Sequence, residues 1–366
     1  MSTHSNKILH IDCQDTVKLF HSYTRFPGIC GIFRNFFYRE KTEFVALKKI
    51  NLKIHKGEFV GLIGTNGAGK TTLVKCLTGI IPVSQGAAKL FGSDCFSLSD
   101  TEKSKISLVM GQRSQLWWDI PAIDSFKLLR EIYKVPFDVF DYKVKTYSER
   151  LEVSDRLSTQ LRQLSLGQRM KMEIIGAFLH DPEIVFLDEP TIGLDLISQE
   201  VIRQFLLEIN REQQVTILLT SHDMVDIEQT CERLVILDSG EILFDGDIVN
   251  LQKRLVGKRS IQVHLDPTSS PWTPTLEGDL QSYRAEKTLE TSRQLNFVVE
   301  TQKVHLFIQF LLQHLVIRDL TIERESLEHL ILEIFKKKSM DETILFSKPN
   351  LQGITQNLKE SFASPL

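Results

Sequence analysis

The chain has 366 residues, 42% of them hydrophobic and 25% charged, with 44 Lys+Arg against 47 Asp+Glu and a formal net charge of −3. That length accommodates one large domain and a smaller one, and balanced charge excludes capture by nucleic acid through bulk electrostatics. No apolar stretch reaches membrane-spanning length and residues 1–12 lack a signal-peptide core, so any membrane part is expected on another polypeptide.

In chain order, Phe20-His21-Ser22-Tyr23 closes a first strand. Residues 24–44 then read as an insertion that mixes aromatic and basic side chains, either a membrane or partner contact or, preferred, a packed amphipathic segment. The apolar run Phe59-Val60-Gly61-Leu62-Ile63 predicts a buried strand, and Thr71 to Leu77 predicts a helix. Between them stands Gly64-Thr65-Asn66-Gly67-Ala68-Gly69-Lys70-Thr71, followed by Thr72. Strand, glycine-rich loop and helix together make a P-loop: glycines let backbone N–H groups approach phosphate oxygens, and the helix N-terminus favours anions. Lys70 is expected on the β- and γ-phosphates and Thr71 on Mg²⁺.

Gln112 comes next in Val109-Met110-Gly111-Gln112, with Gln115 three residues on and Trp117-Trp118 beyond. Residues 124–134 predict a helix with Asp124 as N-cap. Ile184-Val185-Phe186-Leu187 predicts a strand buried on both faces that runs into Asp188-Glu189-Pro190-Thr191. Adjacent strand residues point to opposite faces, so both carboxylates serve one site only if the strand ends there, as Pro190 suggests. Val201, Ile202, Phe205, Leu206 and Ile209 mark a crossover helix, and a second buried strand over 215–221 leads into His222. Leu234 to Leu237 and Glu241 to Phe244 flank Asp238-Ser239-Gly240 as a hairpin.

Composition shifts near residue 254. Ile261, Val263 and Leu265 alternate with polar residues, as do Leu295, Phe297 and Val299, around a Pro/Ser/Thr-rich break over 267–279. A helix face over 304–312, a strand at 320–322 and a last helix over 327–334, with Ser326 as its cap, complete a β-β-α-β-α order. Residues 255–338 thus form a small accessory α+β domain and 339–366 a tail. The five cysteines (13, 30, 76, 95, 231) are scattered and lack metal-ligand spacing; they read as packing residues of a reduced compartment.

The P-loop, Gln112, Leu164-Ser165-Leu166-Gly167-Gln168, Asp188-Glu189, Gly193-Leu194-Asp195 and Thr220-Ser221-His222-Asp223, in that order, resemble the ATP-binding cassette (ABC) ATPases over roughly residues 8–250. The resemblance implies an α/β P-loop core over 1–254, with a helical subdomain over about 112–168. It implies Mg²⁺ at Thr71, Gln112 and Asp188, Glu189 as general base, His222 as the residue that holds it, and Tyr23 against adenine (Tyr38 or Phe44 as alternatives). It further implies that two copies pair head to tail, with Ser165, Gly167, Gln168 and Asp195 of one facing the ATP of the other. Leu166 departs from the usual glycine. Trp117 and Trp118 are either an interface for a transmembrane permease or buried in the helical subdomain. The motif wording looks like that of bacterial exporters, placed peripherally on the cytoplasmic side of the inner membrane with only indirect membrane contact. The competing reading is a non-transport cassette ATPase acting on a ribosome or a nucleic-acid machine; one P-loop, no sustained heptads and no cysteine quartet weigh against it.

Overall fold

The structure is a computed structural model and describes residues 8–23, 41–111, 113–253, 257–269, 272, 274–291, 293–324, 327, 328, 331, 334 and 335. The tail over 339–366, residues 24–40 of the expected 24–44 insertion, Gln112 and Ser326 lie outside them, and the last four residues expected in that insertion, 41–44, instead open a strand paired with the one that ends at Tyr23. The chain divides into two compact units, Met1–Leu251 and Gln252–Leu366.

The first unit is built on two sheets. β1 (Leu9–Tyr23), β2 (Lys41–His55), β4 (Gln85–Leu90) and β5 (Ser93–Asp94) form an antiparallel sheet in the order β2-β1-β4-β5. Its alternation shows in β2, where Ile50, Leu52 and Ile54 are buried while Asn51 and Lys53 face solvent. The second sheet runs β10-β9-β3-β8-β7-β6. Its members are β3 (Phe59–Gly64), β6 (Ile106–Met110), β7 (Ile184–Asp188), β8 (Thr216–Thr220), β9 (Arg233–Asp238) and β10 (Glu241–Asp247). All neighbours are parallel except β9 and β10, which join through Ser239 and Gly240, both at positive φ as a tight hairpin turn requires. β7 and β8 are buried at every position, which is why they read as unbroken Ile/Val/Leu/Phe runs. Each fully buried aliphatic side chain there contributes about 1.5–3 kcal/mol.

The longer helices are α1 (Lys70–Leu77), α2 (Ala122–Tyr133), α3 (Phe137–Arg150), α4 (Leu166–Phe178), α5 (Leu196–Gln213) and α6 (Met224–Thr230), beside short ones at Asp100–Lys103 and Ile248–Lys253. α2 begins two residues before the sequence-based expectation. Pro121 takes the cap position and Asp124 sits in the first turn, where its carboxylate meets the helix N-terminus and bonds Lys127 at 2.9 Å. Cys13, Cys76, Cys95 and Cys231 are buried, and burial pushes their thiols up, Cys76 to about 11 and Cys13 and Cys231 to about 12. They pack and do not react.

In the second unit, β11 (Lys258–Leu265), β12 (Ala285–Glu290), β13 (Gln294–Glu300) and β14 (Ile317–Arg324) form an antiparallel sheet ordered β12-β13-β11-β14. Ile261, Val263, Leu295 and Phe297 share a core with Phe307 and Leu311 of α7 (Val304–His314). Phe297 meets Phe307 edge-on at 5.0 Å. Two elements escape sequence reading: the edge strand β12 and a short helix, Pro274–Asp279. Ala-Glu-Lys-Thr-Leu-Glu has little strand propensity of its own and is held by its pairing with β13.

His180 follows α4, stacked on Tyr133 at 3.9 Å with Nδ1 unpartnered, and burial pushes it down from 6.5 to about 4. Between those two pH values the unfolded chain binds the proton and the folded chain does not, so stability falls as pH drops through the window. Replacing His180 with Phe should remove up to about 3 kcal/mol of that acid sensitivity, read from urea unfolding across pH 6.5 to 4.

Candidate functional site

The parallel register sets Leu62 beside Thr220, and Thr220 beside Asp188, so the C-terminal ends of β3, β8 and β7 meet at one sheet edge. Ligands of open α/β sheets bind at such an edge. The loop from Gly64 to Gly69 leaves β3 there with Thr65, Asn66 and Gly67 exposed, while Ala68 is buried and accepts from Gly240 N through its carbonyl at 2.9 Å. Gly69 carries φ +107, and a Cβ on it would stand 2.7 Å from Ala46 O, so only glycine fits. Lys70 opens α1, with Thr71 and Thr72 in the same turn. Its Nζ donates to Gly64 O at 2.6 Å and Thr65 O at 3.3 Å, and burial lowers its pKa against the charges of Glu189 and Asp188. Thr65 Oγ1 bonds Asp238 Oδ1 at 3.2 Å and ties the loop to the end of β9.

Asp188 is the last residue of β7 and accepts from two threonines: Thr71 Oγ1 at 3.0 Å and Thr220 Oγ1 at 2.7 Å. The strand ends there. Glu189 takes φ +56, a left-handed conformation costly to a residue with a side chain, so its carboxylate reaches the same edge as that of Asp188. Thr220 also accepts the Glu189 N–H, at Oγ1 (3.0 Å) and at its carbonyl (3.1 Å). His222 Nε2 lies 2.6 Å from Glu189 Oε1. A cleft of about 280 Å³ opens beside the pair, lined by Thr191, Gln199 and Ser221 among others.

Beneath these loops is a buried network that sequence reasoning does not reveal. Asp226 pairs with Arg203 at 2.7 Å and accepts from Ser221 Oγ at 3.0 Å and from the hydroxyl of Thr191. One carboxylate thus pins the segment after Glu189 and the segment before His222. Thr220 could have been singled out as the hydroxyl between a buried strand and His222; Arg203 and Asp226 carry no local signal.

A second group gathers around the start of α4. Ser165 is the N-cap: its Oγ accepts Gln168 N at 3.2 Å while Gln168 Oε1 accepts Ser165 N at 3.1 Å, a capping box. Gly167 is pressed on the start of α5, since a Cβ there would stand 2.5 Å from Ser198 Oγ and 3.3 Å from Asp195 Oδ2. Asp195 caps α5 through Ser198 N at 2.9 Å, and that bond holds its carboxyl below the usual range. Leu166, in place of a glycine, points outward (39% exposed) and leaves the cap intact. Trp117 and Trp118 are 44% and 47% exposed, which rules out their burial in the helical subdomain. Tyr23 ends β1 opposite Lys41, its side chain outside the described residues like Gln112 and Tyr38, while Phe44 is 60% exposed.

A family model described as "ABC transporter" matches residues 47–192. Among curated proteins, the "ABC transporter ATP-binding protein NatA" of Bacillus subtilis is 31% identical over 215 residues, 58% of this chain and 87% of that protein. The "Methionine import ATP-binding protein MetN 2" of Enterococcus faecalis is 30% identical over 274 residues, 73% of this chain and 76% of that one. Among solved structures, the cassette MJ0796 in a dimeric post-hydrolysis state bound to ADP and Pi superposes with a TM-score of 0.54 at 24% identity, over 65% of this chain and 98% of that one. The Clostridium perfringens protein cbiO1, part of the complex cbiONQ, gives 0.54 at 22% identity over 68% and 94%. Both share the fold.

Thr220→Val keeps the shape of the side chain and removes the oxygen shared by Asp188 and the Glu189 N–H. The expected loss is about 1–3 kcal/mol, measured by urea unfolding at neutral pH.

Proposed function

The chain belongs to the ATP-binding cassette family and is an ATPase, the nucleotide-binding subunit of a transporter, and from that premise we propose that it drives a separate membrane permease in the export direction. Hydrolysis needs an oriented water, neutralised phosphate charge and donors where charge develops. The observation that carries the reading is Glu189 held by His222 at 2.6 Å beside Lys70 and the Thr71–Asp188 pair.

Glu189 is assigned as the base toward the attacking water, and His222 fixes its carboxylate and donates to the γ-phosphate. Lys70 is folded on its own loop carbonyls, a ready ammonium that exchanges two neutral acceptors for phosphate oxygens when ATP enters. The backbone N–H groups from Gly64 to Thr72 cradle the phosphates at the start of α1. Thr71 and Asp188 offer the hard oxygens that suit Mg²⁺ and, with Gln112, would hold the ion, which would supply neutralisation of phosphate charge. Tyr23 is assigned to adenine.

Ser165, Gly167, Gln168 and Asp195 form a group of their own, and we assign it to the ATP of a second copy in a head-to-tail dimer. The exposed Trp117–Trp118 pair suits the permease, since tryptophans dominate binding hot spots. Export rests on the motif wording; methionine import proteins stand among the relatives, so transport by the reconstituted pair in inside-out vesicles decides the direction. None of the described helices is long and apolar enough to cross a membrane; a peripheral position on the cytoplasmic side of the inner membrane is part of the same proposal.

Glu189→Gln should lower ATP turnover by at least about 100-fold and leave an ATP-bound dimer visible by light scattering. Turnover at the parent rate would refute the assignment of Glu189. Changing Trp117 and Trp118 together to Ala should leave ATP affinity and melting temperature within error while abolishing ATPase stimulation by the permease. Loss of affinity instead would place the pair in the nucleotide site.

A further inference from the structure

Glu173 is a buried carboxylate that the hydrolysis chemistry does not use. It lies in the middle of α4, 5% exposed, and burial pushes its pKa up. A charge-bearing group at such a position costs several kcal/mol unless it is fully bonded. Among the described residues its hydrogen-bond partners come from one short segment: the Ser114 hydroxyl, Gln115 N at 3.0 Å and Leu116 N at 3.3 Å; the charge of Arg169 also acts on it. Ser114 Oγ also lies 2.9 Å from Leu116 O, so its single proton serves one of the two acceptors at a time.

The segment so held is strategic at both ends. Upstream, Gly111 N donates to Asp188 O at 2.8 Å, which places this connection against the carboxylate edge. Downstream come the exposed tryptophans. Trp118 stacks under the guanidinium of Arg169, one turn before Glu173, at 4.6 Å, and Trp117 N donates to Ser125 Oγ of α2 at 3.2 Å. Ser165, Arg169 and Glu173 recur every four residues and therefore share one side of the same rigid rod.

We propose that Glu173 is a positioning residue that clasps Ser114–Leu116 to α4, so that the Trp117–Trp118 surface and the Ser165 turn move as one body. The relevance of that motion to hydrolysis rests on the function proposed above; the clasp itself does not.

Three tryptophans are present, so Trp272→Phe leaves emission from Trp117 and Trp118 alone. In that background, Glu173→Ala should raise acrylamide quenching of the pair about two-fold and lower kcat for ATP by roughly ten-fold with KM within about two-fold, because nucleotide contacts are untouched. Ser114→Ala, a milder truncation on the other side of the clasp, should move quenching and kcat in the same direction by less, and it decides the matter if Glu173→Ala fails to fold. Glu173→Gln keeps one acceptor at the same reach and should recover part of both. Parental quenching and kcat in the alanine variants would overturn the proposal, as would a rise in KM at constant kcat. A parent without ATPase activity would instead sink the functional reading, while the quenching arm still judges the clasp.

Discussion

The site depends on one constraint: a parallel register that brings the ends of β3, β7 and β8 level, and a threonine that fixes the turn beyond β7. Thr220 Oγ1 donates to Asp188 and accepts from Glu189 N, so one hydroxyl sets both carboxylates. Without it the turn after Asp188 would have less to offset the left-handed φ of Glu189, and its carboxylate would drift from His222. Everything else at the edge is arranged around that fixed pair. Lys70 donates to loop carbonyls, and Thr71 donates to Asp188.

The buried ionisable groups divide by what they hold. Asp226, with Arg203, joins the segments after Glu189 and before His222 and keeps the two residues in mutual register. Removing one member of such a pair strands the other's charge and typically costs about 3–5 kcal/mol, whereas apolar replacement of both is far gentler. Glu173 binds a connection rather than an ion. Both carboxylates tie together segments that are distant in sequence.

Much of this was legible in the sequence. The P-loop, β7, β8, the α5 crossover and the hairpin at Ser239-Gly240 are each announced by local periodicity or turn chemistry. Elements fixed by distant partners were not. β12 is a strand because β13 offers it hydrogen bonds, α2 starts at Ala122 because Pro121 sets its entry, and Glu173 and Asp226 look like ordinary helical acids until the fold buries them. The exposure of Trp117 and Trp118 was likewise open, since an apolar pair after a loop reads the same whether packed or displayed.

The cap of α4 has a consequence for specificity. Ser165 Oγ spends a lone pair on Gln168 N, and its own hydrogen is committed to nothing in that box. An oxygen that already receives a hydrogen bond is polarised and becomes a stronger donor through its own proton. The tip of the rod therefore carries a hydroxyl whose donor strength is raised by the cap, suited to an acceptor such as an anionic oxygen.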